Sequence, residues 1–325
     1  MQSAPIPDHK IKAMCQRAFG EAITSQPIHL HEIPGGTFNT TYLVEPDKYP
    51  KAILRIAPQA DNTHWDDAFL MRREHAIQPF FAPIASLMPK IILVDFTHQL
   101  MDRDYMFQSY VDGERWDHIQ DQLTPEDEAR LWGQFGEILK HIHSVQGSAF
   151  GYPSPGLQFA TWSEAVLHRL ERIAGDFKQR NVNGAVLASI IETTQKRRSL
   201  LDEVKRPALL HGDLWLFNIL IQRRADGFNI VGILDADRAW WGDPLADWTM
   251  FIWANLPSTP EFSRATAAFW TSYGQPPETV GLAFRKQIYE AMHAAGSLRW
   301  AVDHHNTGLI DQAREKLAAL QKDML

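Results

Sequence analysis

Three oxygen-bearing side chains in the second half of the chain have types and spacing that suit one kind of chemistry. Asp213 follows an apolar run and lies in HGDLWLFN, residues 211–218, which ends at Asn218. Asp235 lies seventeen residues further on, and a predicted hairpin separates it from Asn218. Because a hairpin returns the chain on itself, we expect Asn218 and Asp235 to lie close together. An amide oxygen and a carboxylate are hard ligands, which suit Mg²⁺ rather than Zn²⁺.

The third group, the carboxylate of Asp213, could accept a proton from a hydroxyl group. A base that orients the nucleophile and two ligands for a metal on ATP phosphates are the groups that phosphoryl transfer needs. A single aspartate is more often a turn or helix cap. The whole pattern, which continues with Gly242-Asp243-Pro244 and Asp247, favours the catalytic interpretation.

Composition excludes several other classes of protein. The chain has 325 residues, enough for one large domain or two modest ones with a substantial core. Apolar residues make up 45% and charged residues 22%, which excludes collagen-like and wholly disordered chains. The net charge of −7 provides no basic field for nucleic acid or an anionic membrane. Cys15 is the single cysteine, so an intrachain disulfide and a thiolate metal cage are excluded.

The sequence shows no secretory signal, because the N-terminal residues contain no apolar core segment. No run of 18 apolar residues occurs, so no membrane-spanning helix is expected. We therefore expect a cytoplasmic protein that binds neither nucleic acid nor membrane, with no obligate protein partner evident.

The elements before residue 112 are predicted to be mostly strands. Periodicity and turn residues predict a helix over 8–23, strands within 28–45, at 51–56, 90–96 and 105–111, and a helix over 66–80 between the third and fourth strands. A boundary is expected near residues 108–113, where the composition becomes helical.

The later elements are predicted to be mostly helical. Thr124, Pro125 and Asp127 form an N-terminal helix signature, and helical spacing continues to His143. Further predicted elements are helices over 161–176 and 184–204, strands at 208–210, 219–222 and 228–234, and mainly helix from residue 246.

The motifs HGDLWLFNIL and ILDADRAWWGDPLADW resemble the aminoglycoside phosphotransferase and choline kinase family, a branch of the protein-kinase-like superfamily. The shared pattern is His-Gly-Asp, an Asn five residues later, an apolar-Asp element, and Gly-Asp-Pro followed by Asp. ILKHIHS, residues 138–144, also resembles a helix end of that family. The resemblance implies an α+β, protein-kinase-like bilobal fold. Its small antiparallel β N-lobe, residues 1–108, would bind nucleotide, and its larger helical C-lobe, residues 109–325, would bind the acceptor.

The resemblance also implies roles for residues of the second half. Asp213 would be the catalytic base, and Asn218 and Asp235 would be the magnesium ligands. The side chains that would brace the catalytic loop are His211, Asp243 and Asp247.

In the N-terminal part, the resemblance places the nucleotide-covering loop at residues 35–40. The residues assigned to nucleotide binding there are Gly35, Gly36, Thr37 and Asn39. The third strand would present Arg55 to the phosphates, paired with Glu74 on the following helix, and Lys51 is the alternative to Arg55. Arginine provides a planar, permanently charged fork that suits phosphate.

The hinge between the lobes is expected at residues 108–111, where backbone groups of Gln108 and Tyr110 would bind the adenine edge. Ile53 and Ile233 would enclose the base.

The implied activity is Mg²⁺-dependent transfer of the ATP γ-phosphoryl group to a hydroxyl of a small molecule. The acceptors left open are an aminoglycoside-like compound, a fructosamine or other sugar amine, an amino alcohol such as choline or ethanolamine, and homoserine. Trp215 within HGDLW resembles the fructosamine kinase branch, although the sequence after Asp235 fits that branch less well. The alternatives are a non-catalytic nucleotide-binding regulator and a metal-dependent hydrolase, and the spacing of His211 from other histidines disfavours the hydrolase.

Other polar and aromatic residues remain open to interpretation. His29 and His31 alternate on one strand, and a half-buried strand with two outward polar residues is favoured over a metal pair. Most tryptophans are expected in the core. Trp240, Trp241 or Trp300 could instead stack on the acceptor, and Asp237 is either a surface acid or a substrate contact.

Overall fold

The computed structural model describes residues 6–34, 39–58, 69–153, 156–248 and 260–324. The chain forms two compact units. The first comprises Met1–Ile119 and Phe217–Arg238, and the second comprises Gln120–Leu216 and Ala239–Leu325. The chain therefore leaves the first unit and returns to it for the segment that contains Asn218 and Asp235. The functional division into lobes at residue 108 stays a prediction.

The first unit is built on a five-stranded antiparallel sheet with the order β1-β2-β3-β5-β4. The strands are β1 Ile28–Glu32, β2 Thr40–Pro46, β3 Ala52–Ile56, β4 Ile91–Asp95 and β5 Tyr105–Ser109. Helix α2, Leu70–Ile77, lies between β3 and β4 along the chain. The predicted succession of three strands, a helix and two strands is confirmed.

One face of this sheet is buried against helix α1, Asp8–Phe19. Its apolar stripe of Ile11 and Met14 packs with Val44 and Leu54 of the central strands. Cys15 is buried in the same core. Burial of these side chains, at about 1.5–3 kcal/mol each, ties α1 to the sheet.

A hairpin of β10, Ile219–Arg224, and β11, Gly227–Ile233, completes the first unit together with β6, Glu114–Arg115, and the short helix α3, Trp116–Ile119. The turn at Ala225-Asp226 confirms the predicted hairpin. Its register pairs Ile219 with Ile233, so residues just outside the hairpin are brought together.

The second unit is mainly helical. Its helices are α4 Pro125–Ser144, α5 Trp162–Gln179, α6 Ala185–Lys196, α7 Arg198–Leu201, α8 Leu245–Trp248, α9 Pro260–Tyr273, α10 Val280–Asp303 and α11 Thr307–Met324. A four-stranded sheet of order β8-β7-β12-β9 accompanies them. Its strands are β7 Phe150–Gly151, β8 Gln158–Phe159, β9 Ala208–Leu210 and β12 Trp240–Gly242.

Helix α4 begins and packs as its sequence requires. Thr124 and Asp127 form a reciprocal capping box, with Pro125 at the first helical position. The helix then packs against α9, and the backbones approach closely at Gly136, where an added Cβ would lie 2.6 Å from the Phe269 carbonyl oxygen.

Three predicted helices differ from the observed ones. The helix predicted over 8–23 ends at Phe19, because Gly20 adopts a positive φ of 86°, and a 3₁₀ turn follows. The helix predicted over 66–80 ends at Ile77, just before Pro79, and residues 78–84 form a 3₁₀ helix. The helix predicted over 184–204 is divided at Arg197 into α6 and α7.

Within the described ranges, no helix combines the length and the apolar character needed to cross a membrane.

Candidate functional site

The centre of the site in the first unit is the buried guanidinium of Arg55 on β3. Arg55 Nη1 donates to both carboxylate oxygens of Glu74 on α2, at 2.9 and 2.7 Å. Arg55 Nη2 lies 2.9 Å from Asp235 Oδ1 and 3.4 Å from Asp237 Oδ2. The structure thus brings together the predicted pair Arg55 and Glu74 and adds two acids from the segment after β11.

This arrangement places three carboxylates around one cation. Burial and the neighbouring Asp235 raise the pKa of Asp237 well above its ordinary value. Burial also raises the pKa of Glu74, against the opposing attraction of Arg55. For Arg55 itself, burial lowers the pKa. The carboxylates of Glu74, Asp235 and Asp237 raise it by a larger amount, so the net shift is upward and the guanidinium stays charged. The surplus of carboxylates over cations makes the cluster a favourable place for a further positive ion.

The hairpin positions the two candidate metal ligands. Leu234 N–H donates to the backbone oxygen of Asn218 at 2.8 Å, so the residues just outside β10 and β11 are held side by side. Asn218 is buried, whereas the Asp235 side chain is 44% exposed. Asp235 has a positive φ of 60°, an uncommon conformation that aspartate tolerates better than most residues.

Asn218 and Asp235 fit a divalent ion as hard oxygen ligands beside excess negative charge. In the described part of the chain, no three His, Cys, Asp or Glu side chains are grouped closely enough to hold a metal ion by themselves. Magnesium is commonly bound through one or two protein side chains together with substrate phosphates, so two ligands suit that mode.

Lys51, the alternative to Arg55, lies elsewhere. Its ammonium forms an exposed ion pair with Glu45 at 2.6 Å and lies over the Tyr110 ring. Arg55 is therefore the basic residue of β3 that reaches the acidic cluster.

The predicted hinge residues are engaged in different ways. The Gln108 side chain is buried and donates through Nε2 to Glu74 Oε1 at 2.9 Å, so it supports the Arg55 pair. Tyr110 N–H donates to the Lys51 carbonyl at 3.3 Å. The Tyr110 N–H is therefore already hydrogen-bonded within the protein. Hydrogen bonds from this segment to adenine would have to come from its other backbone groups. Ile53 is half-buried and Ile233 fully buried, and their contact with a base stays a prediction.

The predicted nucleotide-covering loop lies mostly outside the described residues, which include Asn39 but not Gly35, Gly36 or Thr37. Asn39 is half-buried and directly precedes β2.

In the second unit, one buried carboxylate holds the loop that contains Asp213. Asp247 Oδ2 accepts the His211 N–H at 2.7 Å, and Oδ1 accepts the Gly212 N–H at 2.8 Å. Gly212 has a positive φ of 79°, which glycine adopts without strain. Asp213 follows directly and is half-buried. Asp247 therefore braces the loop through its backbone, as expected.

A histidine at the end of α4 supports this carboxylate. His143 Nε2 lies 3.1 Å from Asp247 Oδ2, and His143 Nδ1 lies 2.8 Å from the Tyr273 hydroxyl. Since a carboxylate can only accept, His143 donates to Asp247 through Nε2, while its Nδ1 pairs with the Tyr273 hydroxyl.

A second buried carboxylate, Asp243, anchors the start of α8 to α10. Its oxygens accept from the Leu245 N–H at 3.2 Å, the Tyr289 hydroxyl at 2.8 Å and Arg285 Nε at 2.9 Å. Burial raises the pKa of Asp243, and Arg285 opposes that shift. Asp243 thus fixes the chain on the way to Asp247.

Several of these partners were missed from the sequence, namely His143, Tyr273, Arg285 and Tyr289. Three of them carried a usable signal. His143 continues the apolar stripe of α4 at a buried position, and Arg285 and Tyr289 are four residues apart and so share a face of α10.

Burial and ring contacts describe the histidine and tryptophan candidates, and stacking of a tryptophan on the acceptor stays a prediction. His29 and His31 are exposed beside Asp47 and Glu45, as expected for outward residues of β1. Trp240 and Trp241 are buried. Trp300 stacks on His304, with ring centroids 3.9 Å apart.

Comparison with known proteins identifies the class to which this arrangement belongs. Residues 29–282 match the family model described as the phosphotransferase enzyme family, APH. The chain belongs to this family.

Particular relatives extend the identification. A protein of Vibrio cholerae named "Probable ketoamine kinase" is 29% identical over 180 residues, 52% of this chain and 57% of that protein. A protein of Vibrio vulnificus with the same designation is 31% identical over 118 residues, 36% of this chain and 35% of that protein. The matched part of the chain thus spans about half or less of the length of these relatives.

Solved structures show the fold. The gentamicin complex of APH(2″)-IIa superimposes with a TM-score of 0.67 and 13% identity, covering 99% of each chain. The GDP complex of wild-type aminoglycoside 2′-phosphotransferase-IIIa gives a TM-score of 0.65 and 14% identity, covering 98% of this chain and all of that one. The predicted α+β, protein-kinase-like fold is confirmed.

Proposed function

We propose that this protein transfers the γ-phosphoryl group of ATP to a hydroxyl group of a sugar amine, and specifically of a ketoamine. The observation that carries the proposal is the cluster of Glu74, Asp235 and Asp237 around Arg55. It joins a permanent cation suited to phosphate with a surplus of negative charge suited to Mg²⁺.

In this proposal Asn218 and Asp235 would hold Mg²⁺, which supplies charge neutralisation on the nucleotide phosphates. Arg55, oriented by Glu74 and Gln108, would bind a phosphate oxygen through its planar fork.

Asp213 would accept the proton of the acceptor hydroxyl. The acceptor oxygen then forms a bond to the γ-phosphorus, the bond from that phosphorus to the β–γ bridging oxygen breaks, and ADP leaves with the electron pair. The contribution of the second unit is to hold Asp213 steady, through the two backbone hydrogen bonds to Asp247.

The choice of a ketoamine rests on the designation of the two Vibrio relatives. Trp215, which follows Asp213 in the HGDLW sequence, supports the same choice through its resemblance to the fructosamine kinase branch.

The test is release of ADP from ATP with a panel of ketoamines, aminoglycosides and amino alcohols, with and without Mg²⁺. We expect turnover with ketoamines that depends on Mg²⁺. In Asp213→Ala, we expect kcat to fall by about 100-fold or more, since loss of a general base typically costs that much. Asp311→Ala, at an exposed position of α11, is the matched control and should keep both Tm and kcat.

Nucleotide binding without turnover of any acceptor would favour the non-catalytic alternative. Turnover by folded Asp213→Ala near the wild-type rate would refute the role of Asp213.

A further inference from the structure

One end of the Gln108 side chain is not used by the chemistry above. Gln108 lies near the end of β5 and is only 5% exposed. Its amide nitrogen Nε2 donates to Glu74 Oε1 at 2.9 Å. Within the described ranges, no donor lies within hydrogen-bonding distance of its amide oxygen Oε1. A buried amide oxygen without a partner is costly, so this atom points to a donor that the chain itself does not supply.

The hydrogen bonds of Glu74 fix which end of the amide is available. Arg55 Nη1 donates to both oxygens of Glu74, so this carboxylate acts as an acceptor. A carboxylate can only accept, so it must meet the NH₂ end of Gln108 rather than the oxygen. Rotation of the amide by half a turn would set two acceptors against each other. Oε1 is therefore the end that remains available to a ligand.

Strand register places Gln108 on the face of the sheet that carries Arg55. Ile53 of β3 lies directly opposite Gln108 of β5. Directly paired residues of antiparallel strands share a face, and so do residues two positions apart on one strand. Gln108, Ile53 and Arg55 therefore lie on one face, with about 7 Å of strand between Ile53 and Arg55.

This face provides an apolar surface beside the amide. Leu43 of β2 lies opposite Ile53 and joins the same face. Leu43 and Ile53 are half-buried, whereas Val44 and Leu54, which face α1, are fully buried. If Arg55 binds phosphate, a flat purine ring packed against Leu43 and Ile53 presents an edge to Gln108.

We propose that Gln108 is a specificity-determining residue that selects adenine over guanine. Its Oε1 accepts a hydrogen bond from the 6-amino group of adenine. Guanine carries a carbonyl oxygen at that position, which would oppose Oε1 with a second acceptor. This inference rests on the proposed function and names the residue that reads the base of its nucleotide donor.

The same contacts link the choice of base to the binding of phosphate. Glu74 accepts from Arg55 and from Gln108, so one carboxylate orients both the cation for the phosphate and the amide for the base. A site built to bond an amino group rejects an analogue that lacks it, because the polar atom of the site is then left unpaired. The discrimination should therefore appear in nucleotide affinity, before any phosphoryl transfer.

The experiment measures nucleotide binding without an acceptor, by isothermal titration calorimetry in the presence of Mg²⁺. The ligands are ADP, GDP, IDP and purine riboside 5′-diphosphate, which differs from ADP only in lacking the 6-amino group. IDP has the 6-carbonyl group of guanine without its 2-amino group. For the wild type, we expect a Kd for ADP about tenfold lower than for each of the others, the usual scale when a buried acceptor loses its partner.

Gln108→Met removes the amide oxygen in a side chain of similar volume. It should bring the Kd for purine riboside diphosphate to within about threefold of the Kd for ADP, the residual difference expected without a hydrogen bond to the base. This ratio separates the role of Oε1 from the support that Nε2 gives to Glu74, because a weakened Glu74 affects all four ligands through their common phosphates. Gln16→Met is the matched control, since Gln16 is exposed on α1 and bonds only to Thr24, and it should retain the wild-type ratio.

Equal wild-type affinities for ADP and purine riboside diphosphate would overturn this inference, and so would an unchanged ratio in folded Gln108→Met. Both results would leave the proposed function standing. Tighter binding of GDP or IDP than of ADP would also overturn it. If Gln108→Met does not fold, judged by thermal melting, Gln108→Leu takes its place with the same expected ratio.

Failure of the proposed function has a different signature. Selective binding of ADP with no turnover of any acceptor would refute the proposed function alone. Binding of none of the four nucleotides would refute the proposed function, and this inference with it.

Discussion

Replacing Asp247 with Asn tests the idea that one buried carboxylate holds the loop of Asp213. In the wild type, Oδ2 accepts from His211 N–H and from His143, and Oδ1 accepts from Gly212 N–H. The amide of Asn has one oxygen and one NH₂ group. Whichever way it rotates, at least one of these two backbone N–H groups, of which the His211 group is buried and the Gly212 group part-buried, faces a donor instead of an acceptor.

The magnitude follows from these contacts. Leaving one buried donor without a partner costs about 1–3 kcal/mol, and the remaining bonds lose their charge assistance, about 1 kcal/mol in total. We therefore expect Asp247→Asn to lower the free energy of unfolding by about 2–4 kcal/mol. For a unit of this size, about 2–4 °C of Tm is lost per kcal/mol, so Tm should fall by about 5–15 °C.

The assay is thermal unfolding followed by circular dichroism, with urea unfolding as a second measure, and ADP release below the transition. We expect kcat to fall as well, because the backbone that carries Asp213 loses an anchor. Glu192→Gln is the matched control, since Glu192 pairs with Lys196 on the exposed face of α6 and its loss should leave Tm unchanged.

An Asp247→Asn protein that melts within about 1 °C of wild type would contradict this reasoning, because no rotamer of an amide satisfies both backbone donors.

Three further predictions concern other parts of the fold. Gly136→Ala should lower the free energy of unfolding by about 1–3 kcal/mol in urea titrations, because its methyl group meets the backbone of α9. Gly133→Ala, with ordinary contact distances on the same helix, should be neutral or stabilising. Equal effects of the two substitutions would contradict the close approach at Gly136. Burial raises the pKa of the Cys15 thiol to about 11. At pH 8 this single cysteine should therefore react with a disulfide reagent about a hundredfold or more slowly in the native protein than in the urea-unfolded protein. Rapid labelling of the native protein would show instead that Cys15 is accessible. Burial raises the pKa of Asp104, but the hydrogen bonds and charges of Arg72 and His98 together outweigh burial and lower it. The ionised Asp104 therefore stabilises the fold above its unfolded pKa of about 3.9, and this contribution is lost as pH falls through its lower pKa in the folded protein. The difference in free energy of unfolding between wild type and Asp104→Asn should then shrink on acidification. A difference independent of pH would contradict the pairing of Asp104 with Arg72.

The parts of the site that could be predicted are those in which local sequence determines position. Asn218 and Asp235 flank a hairpin whose turn residues are evident, so their proximity followed from chain reversal. The pair of Arg55 and Glu74 was implied by the family resemblance, which assigned them to the third strand and the following helix. Local sequence determines where these residues lie. Their roles depend on a phosphate or metal ion that is not part of the chain, so the roles stay proposals.

The parts that could not be predicted depend on tertiary packing. Asp237 reaches Arg55 because the 3₁₀ turn Ala236–Arg238 packs against α2, and no local pattern determines that contact. The side chain of Gln108 turns into the same cluster, although the sequence suggested only a backbone role. The family resemblance implied that Asp247 braces the loop, but its backbone partners join residues more than thirty positions apart, and no periodicity indicates which groups it contacts.

The presence of arginine at position 55 has a practical consequence for chemical probes. A guanidinium does not acylate under conditions in which a lysine amine does, because it stays protonated and its electrons are delocalised. Nucleotide-derived acylating reagents, which label kinases through an amine, should therefore leave this side chain unmodified. Compounds directed at the Arg55 cluster should instead present a flat anion that matches the guanidinium with two hydrogen bonds.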